Sequence, residues 1–175
     1  MKRLRYVRHA PKDGQIIGQG GLDLAQEKAP ERNYTDLFYG PLYRTVQTIL
    51  AAVASFGCKA RVHEPIKEVG TDELFTKMVT PRFKEAVKSG LTNLEAINKV
   101  HNAHQLRKWE EMAAQGVQRM FDLISEDGHG LCYGHDPVIP LAARAFGLHS
   151  RSLNELEYID FKQDNSGKIT AFLTI

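Results

Sequence analysis

Residues 4–14 read LRYVRHAPKDG. Three apolar residues within this stretch predict a strand over residues 4–9, and the proline and glycine that follow predict a turn. Arg8 and His9 therefore stand side by side where a strand ends. Because open α/β sheets bind ligands beyond the carboxyl ends of their strands, this pair is a candidate for a functional site.

Short apolar runs alternate with amphipathic helices along the rest of the chain. Further strands are predicted at residues 36–39, 61–64 and 130–134, and a terminal hairpin is predicted to pair residues 158–162 with residues 168–174. Helices are predicted over residues 42–56, 104–125 and 137–147, with a helical excursion over one end of the sheet at residues 71–102. This alternation predicts an α/β fold, a three-layer α/β/α sandwich whose mostly parallel sheet has an antiparallel edge hairpin.

Composition predicts one domain spanning residues 1–175, because the chain is 42% hydrophobic and of the size typical of a single domain. A net charge of +2 gives no reason to expect a nucleic acid or a membrane surface as partner. No apolar run approaches the roughly 20 residues of a membrane span, and we expect a cytoplasmic protein. Cys58 and Cys132 are interpreted as buried thiols, although one sequence leaves their pairing open. The sequence predicts no oligomeric state.

Two further segments place polar residues at strand-to-helix turns. The stretch YGPLYRTVQT, residues 39–48, puts Arg44 in the first turn of a helix, and GHDP, residues 134–137, puts His135 just before one. Arginine binds phosphate oxygens through two parallel N–H groups, and helix N-termini add free N–H donors. A neutral histidine nitrogen can attack phosphorus, while a second, protonated histidine would offset charge on the phosphate oxygens.

Each residue taken alone also has a structural interpretation. Arg8 and His9 are equally well explained as solvated residues. Arg44 alone is better explained as an exposed helix residue, and His135 alone as a hydrogen-bonded turn residue. Asp136, which precedes a proline, is better explained as a helix N-cap than as a catalytic group. The remaining histidines share no ligand spacing with a carboxylate, so no metal site is predicted. The functional interpretation therefore depends on the residues occurring together.

The segments VRHA, GPLYRTVQT and CYGHDP, in this order, resemble the histidine phosphatase superfamily, also called the phosphoglycerate mutase-like family. The signature of that family is Arg-His-Gly after the first strand, then Ser-Pro-x-x-Arg-Thr-x-Gln-Thr, then a late Gly-His. The resemblance implies that His9 is the nucleophile that becomes phosphorylated. It also implies that Arg8, Arg44 and His135 bind the phosphoryl group.

Several positions depart from the family pattern. Ala10 replaces a glycine, Gly40 replaces a serine, and Gln15 stands where many members have a phosphate-binding asparagine. Ala10 and the GHDP segment are closer to the small phosphohistidine phosphatase branch, which often reads Arg-His-Ala and Gly-His-Asn-Pro and can lack a general acid. Glu68 is the candidate acid by its position after the third strand, with Glu64 second, and a solvated loop glutamate is the alternative for Glu68.

These residues together predict a metal-independent phosphatase, without cofactor, that acts through a phosphohistidine intermediate. Its substrate would be a phosphorylated small molecule or a phosphoprotein. A phosphoglycerate mutase-type phosphoryl transfer is the first alternative, although the full mutases are longer. A non-catalytic module that binds a phosphorylated ligand is the second.

Overall fold

One mixed sheet organises the protein. The computed structural model describes residues 1–14, 16–29, 33–56 and 59–173. Its strands are β1 (Lys2–Arg8), β2 (Asp36–Tyr39), β3 (Arg61–Val62), β4 (His129–Gly134), β5 (Tyr158–Gln163) and β6 (Ile169–Phe172), in the spatial order β3-β2-β4-β1-β5-β6. The first four strands of that order are parallel to one another. Strand β5 is antiparallel to its neighbours β1 and β6, and β6 forms one edge of the sheet.

Helices connect and cover the strands. They are α1 (Gln19–Glu27), α2 (Tyr43–Phe56), a short 3₁₀ helix (Lys67–Val69), α3 (Asp72–Met78), α4 (Pro81–Lys88), α5 (Asn93–Val100), α6 (Ala103–Leu123) and α7 (Val138–Ala145). Over the described ranges, each helix is too short or too polar to cross a lipid bilayer.

The alternation of side chains along the central strands separates two cores. On one face, Tyr6 and Cys132 pack with the buried sides of α6 and α7. On the other face, Leu131 and Tyr133 pack against α2, and α1 lies on α2. Successive residues of a strand point to opposite faces, so buried strands of this kind need helices on both sides. The predicted three-layer sandwich with an antiparallel edge is confirmed.

The excursion predicted at residues 71–102 consists of three helices, α3 to α5. Each begins at a threonine whose hydroxyl accepts a hydrogen bond from a backbone N–H three residues later: Thr71, Thr80 and Thr92. Such caps satisfy amide groups that a helix start leaves without a partner. The predicted hairpin is also present as β5 and β6, and residues 174–175 lie outside the described residues.

Two predicted helix starts are shifted. The helix predicted from residue 42 begins at Tyr43. The Thr45 hydroxyl lies 2.7 and 2.6 Å from the Gly40 and Leu42 carbonyl oxygens, and its one hydrogen is shared between them. The helix predicted from Pro137 begins one residue later and ends at Ala145 rather than at residue 147.

The register of the parallel strands brings their carboxyl ends level. Arg8 pairs with Gly134 across β1 and β4, and Tyr39 pairs with Tyr133 across β2 and β4. The backbone N–H of His9 then donates to the Gly134 carbonyl at 3.0 Å. The residues that follow β1, β2 and β4 therefore meet at one edge of the sheet, as expected for a ligand site in this class of fold.

Candidate active site

Two buried histidines face each other at this edge. The side chains of His9 and His135 are 5% and 1% exposed. Their ring centroids lie 4.9 Å apart at an interplanar angle of 64°. The structure thus brings together the two histidines that the sequence separates by more than a hundred residues.

Arg44 joins this pair from the first turn of α2. Its Nε donates a hydrogen bond to Nδ1 of His135 at 3.3 Å, and its guanidinium carbon lies 5.8 Å from the centroid of the Phe75 ring. The Phe75 ring meets His135 edge-on, with centroids 4.8 Å apart. Arg44 is half-buried beside His135 and is not the exposed helix residue of the alternative interpretation.

The hydrogen bonds to the two rings select opposite tautomers. Nδ1 of His9 lies 2.7 Å from the Ala10 carbonyl oxygen and must donate to it, so in the neutral ring Nε2 carries the lone pair. Nδ1 of His135 accepts from Arg44, so in its neutral ring Nε2 carries the hydrogen. That buried Nε2 has no hydrogen-bond partner among the described residues. One ring therefore offers a lone pair and the other offers an N–H donor.

Burial and nearby cations keep both rings neutral near pH 7. Burial lowers the pKa of His9 to about 4, with further lowering by the charges of Arg44, Arg8 and Lys12. Burial also lowers the pKa of His135 well below its usual value, and His9 and the same cations act in the same direction. The expectation that His135 is protonated does not hold in this environment, where it is a neutral donor.

Arg8 contributes charge but is held by other groups. Its Nη1 donates to the Leu153 carbonyl, and its Nη2 donates to a carboxylate oxygen of Glu155 at 3.0 Å. The guanidinium nevertheless lies close enough to lower the pKa values of His9 and His135. Arg8 thus lies beside the histidine pair, with part of its hydrogen-bonding capacity already used.

Lys12 is a cation that the sequence analysis missed. The residue as a whole is exposed, but partial desolvation of its ammonium group lowers its pKa, and the charges of Arg44 and Arg8 lower the pKa further. Its position three residues after the Arg-His pair was the only available signal, and a lysine in a turn is ordinarily interpreted as solvated. Its nearness to two arginines makes a third positive charge available to an anion.

The segment that carries Arg44 also holds the loop that follows His9. The Gln47 side-chain oxygen accepts from the Ile17 backbone N–H at 2.9 Å. The Thr48 hydroxyl accepts from the Ala10 backbone N–H at 3.2 Å and donates to the Arg44 carbonyl at 2.8 Å. These bonds attach the loop to α2, so that His9 and Arg44 keep a constant relationship.

Glu68, the candidate acid, lies in the 3₁₀ helix and contacts α6. One carboxylate oxygen of Glu68 accepts a hydrogen bond from Arg119 at 3.4 Å. Glu68 also packs closely on α6, because a Cβ atom added to Gly116 would lie only 2.9 Å from the Cβ of Glu68. The residue of this segment that contacts His135 is Gly70, where an added Cβ atom would lie 2.9 Å from the imidazole ring. Glu64 is exposed. The acid role of Glu68 stays a prediction.

Asp136 is not the helix cap that was expected. Its two oxygens accept from the Leu153 backbone N–H at 3.0 Å and from the Asn93 side-chain amide at 2.9 Å. The cap position of α7 is taken by Pro137, which has no side-chain cap hydrogen bond. The carboxylate therefore connects the end of β4 to α5 and to the segment before β5.

Other predicted residues have simpler outcomes. Gln15 and Cys58 lie outside the described residues, so the phosphate-binding role of Gln15 stays a prediction. Cys132 is a buried free thiol. The described residues contain no group of three or more His, Cys, Asp and Glu side chains placed to hold a metal ion.

No protein-family model and no curated protein matches this sequence. Solved structures match it over almost its whole length. A phosphoserine phosphatase from Entamoeba histolytica, in complex with 3-phosphoglyceric acid, is 15% identical with a TM-score of 0.65, over 98% of this chain and 95% of that one. A phosphoglycerate mutase from Bacillus anthracis is 10% identical with a TM-score of 0.69, over 98% of this chain and 92% of that one.

A third match is the protein histidine phosphatase SixA complexed with tungstate, which is 14% identical with a TM-score of 0.60, over 97% of this chain and 94% of that one. Identities this low establish a common fold, and function has to be argued from the site itself. All three proteins belong to the superfamily that the three sequence segments resemble. The chain therefore has the histidine phosphatase fold.

Proposed function

We propose that this protein is a phosphatase that acts through a phosphohistidine formed on His9. The observation that carries the proposal is the opposite tautomers of two facing rings, a lone pair on Nε2 of His9 and an N–H on Nε2 of His135. A nucleophile must be unprotonated, and a group that stabilises negative oxygen must donate. The lowered pKa of His9 supports the nucleophilic role, because the ring is neutral over the whole physiological range.

In the first step, Nε2 of His9 attacks phosphorus, and the bond from phosphorus to the leaving group breaks as the N–P bond forms. The leaving group takes a proton from solvent. In the second step, water attacks phosphorus and releases a proton to solvent, while the N–P bond breaks and its electron pair returns to Nε2. Arg8, Arg44 and Lys12 offset the negative charge of the phosphoryl oxygens, and the His135 N–H donates to one of them.

The substrate class that we propose is a phosphorylated small molecule or a phosphoprotein. Ala10 and the GHDP segment, which resemble the small phosphohistidine phosphatase branch, favour substrates whose leaving group departs without a general acid, such as the imidazole of phosphohistidine. We propose that residues 1–175 act as one domain. The cytoplasm is the compartment that we propose, since the free Cys132 thiol suits a reducing environment.

The test is hydrolysis of p-nitrophenyl phosphate, with and without a chelator, combined with quenching of the reaction of ³²P-labelled substrate in alkaline detergent. We expect turnover that the chelator leaves unchanged, and a protein-bound phosphate that is labile in acid and stable in base. His9→Ala should lose both while keeping its circular dichroism spectrum, and His104→Ala, at an exposed histidine on α6, should keep both. Binding of inorganic phosphate without turnover would instead favour the non-catalytic module.

A further inference from the structure

Asp136 directly follows His135, and the proposed chemistry gives it no role. Its side chain is only 9% exposed, yet both carboxylate oxygens accept hydrogen bonds, one from the Leu153 backbone and one from Asn93. Burying a carboxylate is costly unless such partners are present. A group whose two oxygens already accept N–H donors is poorly placed to protonate a leaving group, so its function must lie in what it holds.

What Asp136 holds is the residue that binds Arg8. Leu153 is buried, and its backbone N–H donates to Asp136 while its carbonyl accepts from the Arg8 guanidinium. One residue of the chain thus connects the carboxylate next to His135 with the arginine next to His9. A displacement of Leu153 would change the direction in which the Arg8 guanidinium N–H groups point relative to both histidines.

The chain around Leu153 is bound tightly to the end of β1. The Arg8 backbone N–H donates to the Glu157 carbonyl at 2.9 Å, and the Leu156 N–H donates to the Arg8 carbonyl at 3.1 Å. Leu156 has a φ of 63°, a conformation that a leucine rarely adopts and that persists only where the surroundings enforce it. The segment therefore holds Arg8 by main-chain and side-chain bonds together.

We propose that Asp136 is a positioning residue for Arg8, acting through Leu153, so that the guanidinium is presented to the phosphoryl group. The inference rests on the proposed function, because it takes phosphate as the ligand of Arg8. The inference also predicts that removal of Asp136 changes phosphate affinity in the direction opposite to the one expected from charge alone. Removing a carboxylate near an anion site should strengthen anion binding by Coulomb's law, whereas loss of a positioning group should weaken it.

The probe is inorganic phosphate, with its affinity measured by isothermal titration calorimetry. Asp136→Ala should bind phosphate about tenfold more weakly, a typical size for coupling within one hydrogen-bond network. Asp136→Asn keeps an oxygen for the Leu153 N–H and removes the charge, so it should bind phosphate at least as tightly as the wild type. Asn165→Ala, an exposed change in the turn between β5 and β6 and away from this network, is the control and should bind phosphate normally.

A double-mutant cycle with Arg8→Ala decides whether Asp136 acts through Arg8. If it does, Asp136→Ala should cost little further affinity once Arg8 is gone. Equal losses in both backgrounds, or tighter phosphate binding by Asp136→Ala, would overturn the inference. If the alanine variant does not fold, Asp136→Ser takes its place, since its hydroxyl is too short to hold Leu153 in the same position.

The two proposals fail in different ways. Coupled losses of phosphate affinity in a protein without turnover would overturn the phosphatase proposal and support the positioning role. Turnover together with losses of phosphate affinity that are independent in the Asp136 and Arg8 variants would support the phosphatase proposal and overturn the positioning role. Turnover by a wild-type protein that binds no phosphate would overturn the positioning role alone, and a protein with neither turnover nor phosphate binding would overturn both.

Discussion

Nε of Arg44 lies 3.3 Å from Nδ1 of His135 and donates a hydrogen bond to it, which leaves the ring hydrogen on Nε2. This single contact sets the tautomer of His135 and places the positive charge of Arg44 beside it. The charge in turn helps to keep both histidines neutral, since it lowers their pKa values. Arg44 therefore acts on the site by orientation as well as by charge.

Replacement of this arginine by lysine should impair catalysis far more than stability. Arg44→Lys keeps the charge but loses the planar fork, and charge-assisted hydrogen bonds of about 1.5–3 kcal/mol imply roughly a 10- to 150-fold fall in kcat/KM. The measurement is hydrolysis of p-nitrophenyl phosphate alongside a thermal melt. Arg82→Lys, at an exposed position of α4, is the matched control. Unchanged kinetics in Arg44→Lys would show that the arginine is not part of the site.

The tautomer of His9 can be observed directly. ¹H–¹⁵N NMR of the imidazole should show a protonated Nδ1 and an unprotonated Nε2, because Nδ1 donates to the Ala10 carbonyl. The ring should stay neutral until the pH approaches about 4. In Arg44→Gln the pKa of His9 should rise, since a nearby cation has been removed. Titration of the wild-type ring at its ordinary value of 6.5 would contradict the buried, cation-lined environment.

Stability should fall on acidification through the same group. The pKa of His9 is lowered from 6.5 to about 4, so the unfolded chain binds a proton at a higher pH than the folded protein. The contribution of His9 to the free energy of unfolding is complete above pH 6.5 and is lost as the pH falls toward 4. This loss lowers the free energy of unfolding by about 3 kcal/mol at most. His135, with a lowered pKa, acts in the same direction.

Urea unfolding at a series of pH values checks this dependence. His9→Gln should lose less stability than the wild type between pH 6.5 and 4.5, because the glutamine does not titrate. Parallel curves for the two proteins would mean that His9 has no lowered pKa in the folded state. The comparison isolates His9 from the carboxylates, which are common to both proteins.

Glu68→Gln tests whether a general acid is present at that position. Since Glu68 contacts Arg119 and α6, we expect the ratio of kcat/KM for an alkyl phosphate to that for an activated aryl phosphate to stay within about twofold of the wild type. Arg119→Gln, which removes the partner of Glu68, should behave alike. A selective loss on the alkyl phosphate in Glu68→Gln alone would identify Glu68 as the proton donor.

Much of the fold was predictable because its information is local. The run LRYVRHA contains a buried strand and its end, and α2 and α6 follow from the 3.6-residue period of their apolar residues. The proximity of His9, Arg44 and His135 was also predictable, since parallel strands place their carboxyl ends at one edge. The order of three short segments was enough to propose phosphoryl chemistry.

The tertiary structure decided the environment of each of these side chains. The tautomers depend on contacts with the Ala10 carbonyl and with an arginine 91 residues away from His135. The partners of Asp136 are the Leu153 backbone and the Asn93 side chain rather than the helix that follows it, and Glu68 contacts Arg119 on α6. A sequence pattern predicts periodicity and strand ends, whereas hydrogen-bond partners and burial, which set protonation, depend on residues distant in the chain that only folding brings into contact.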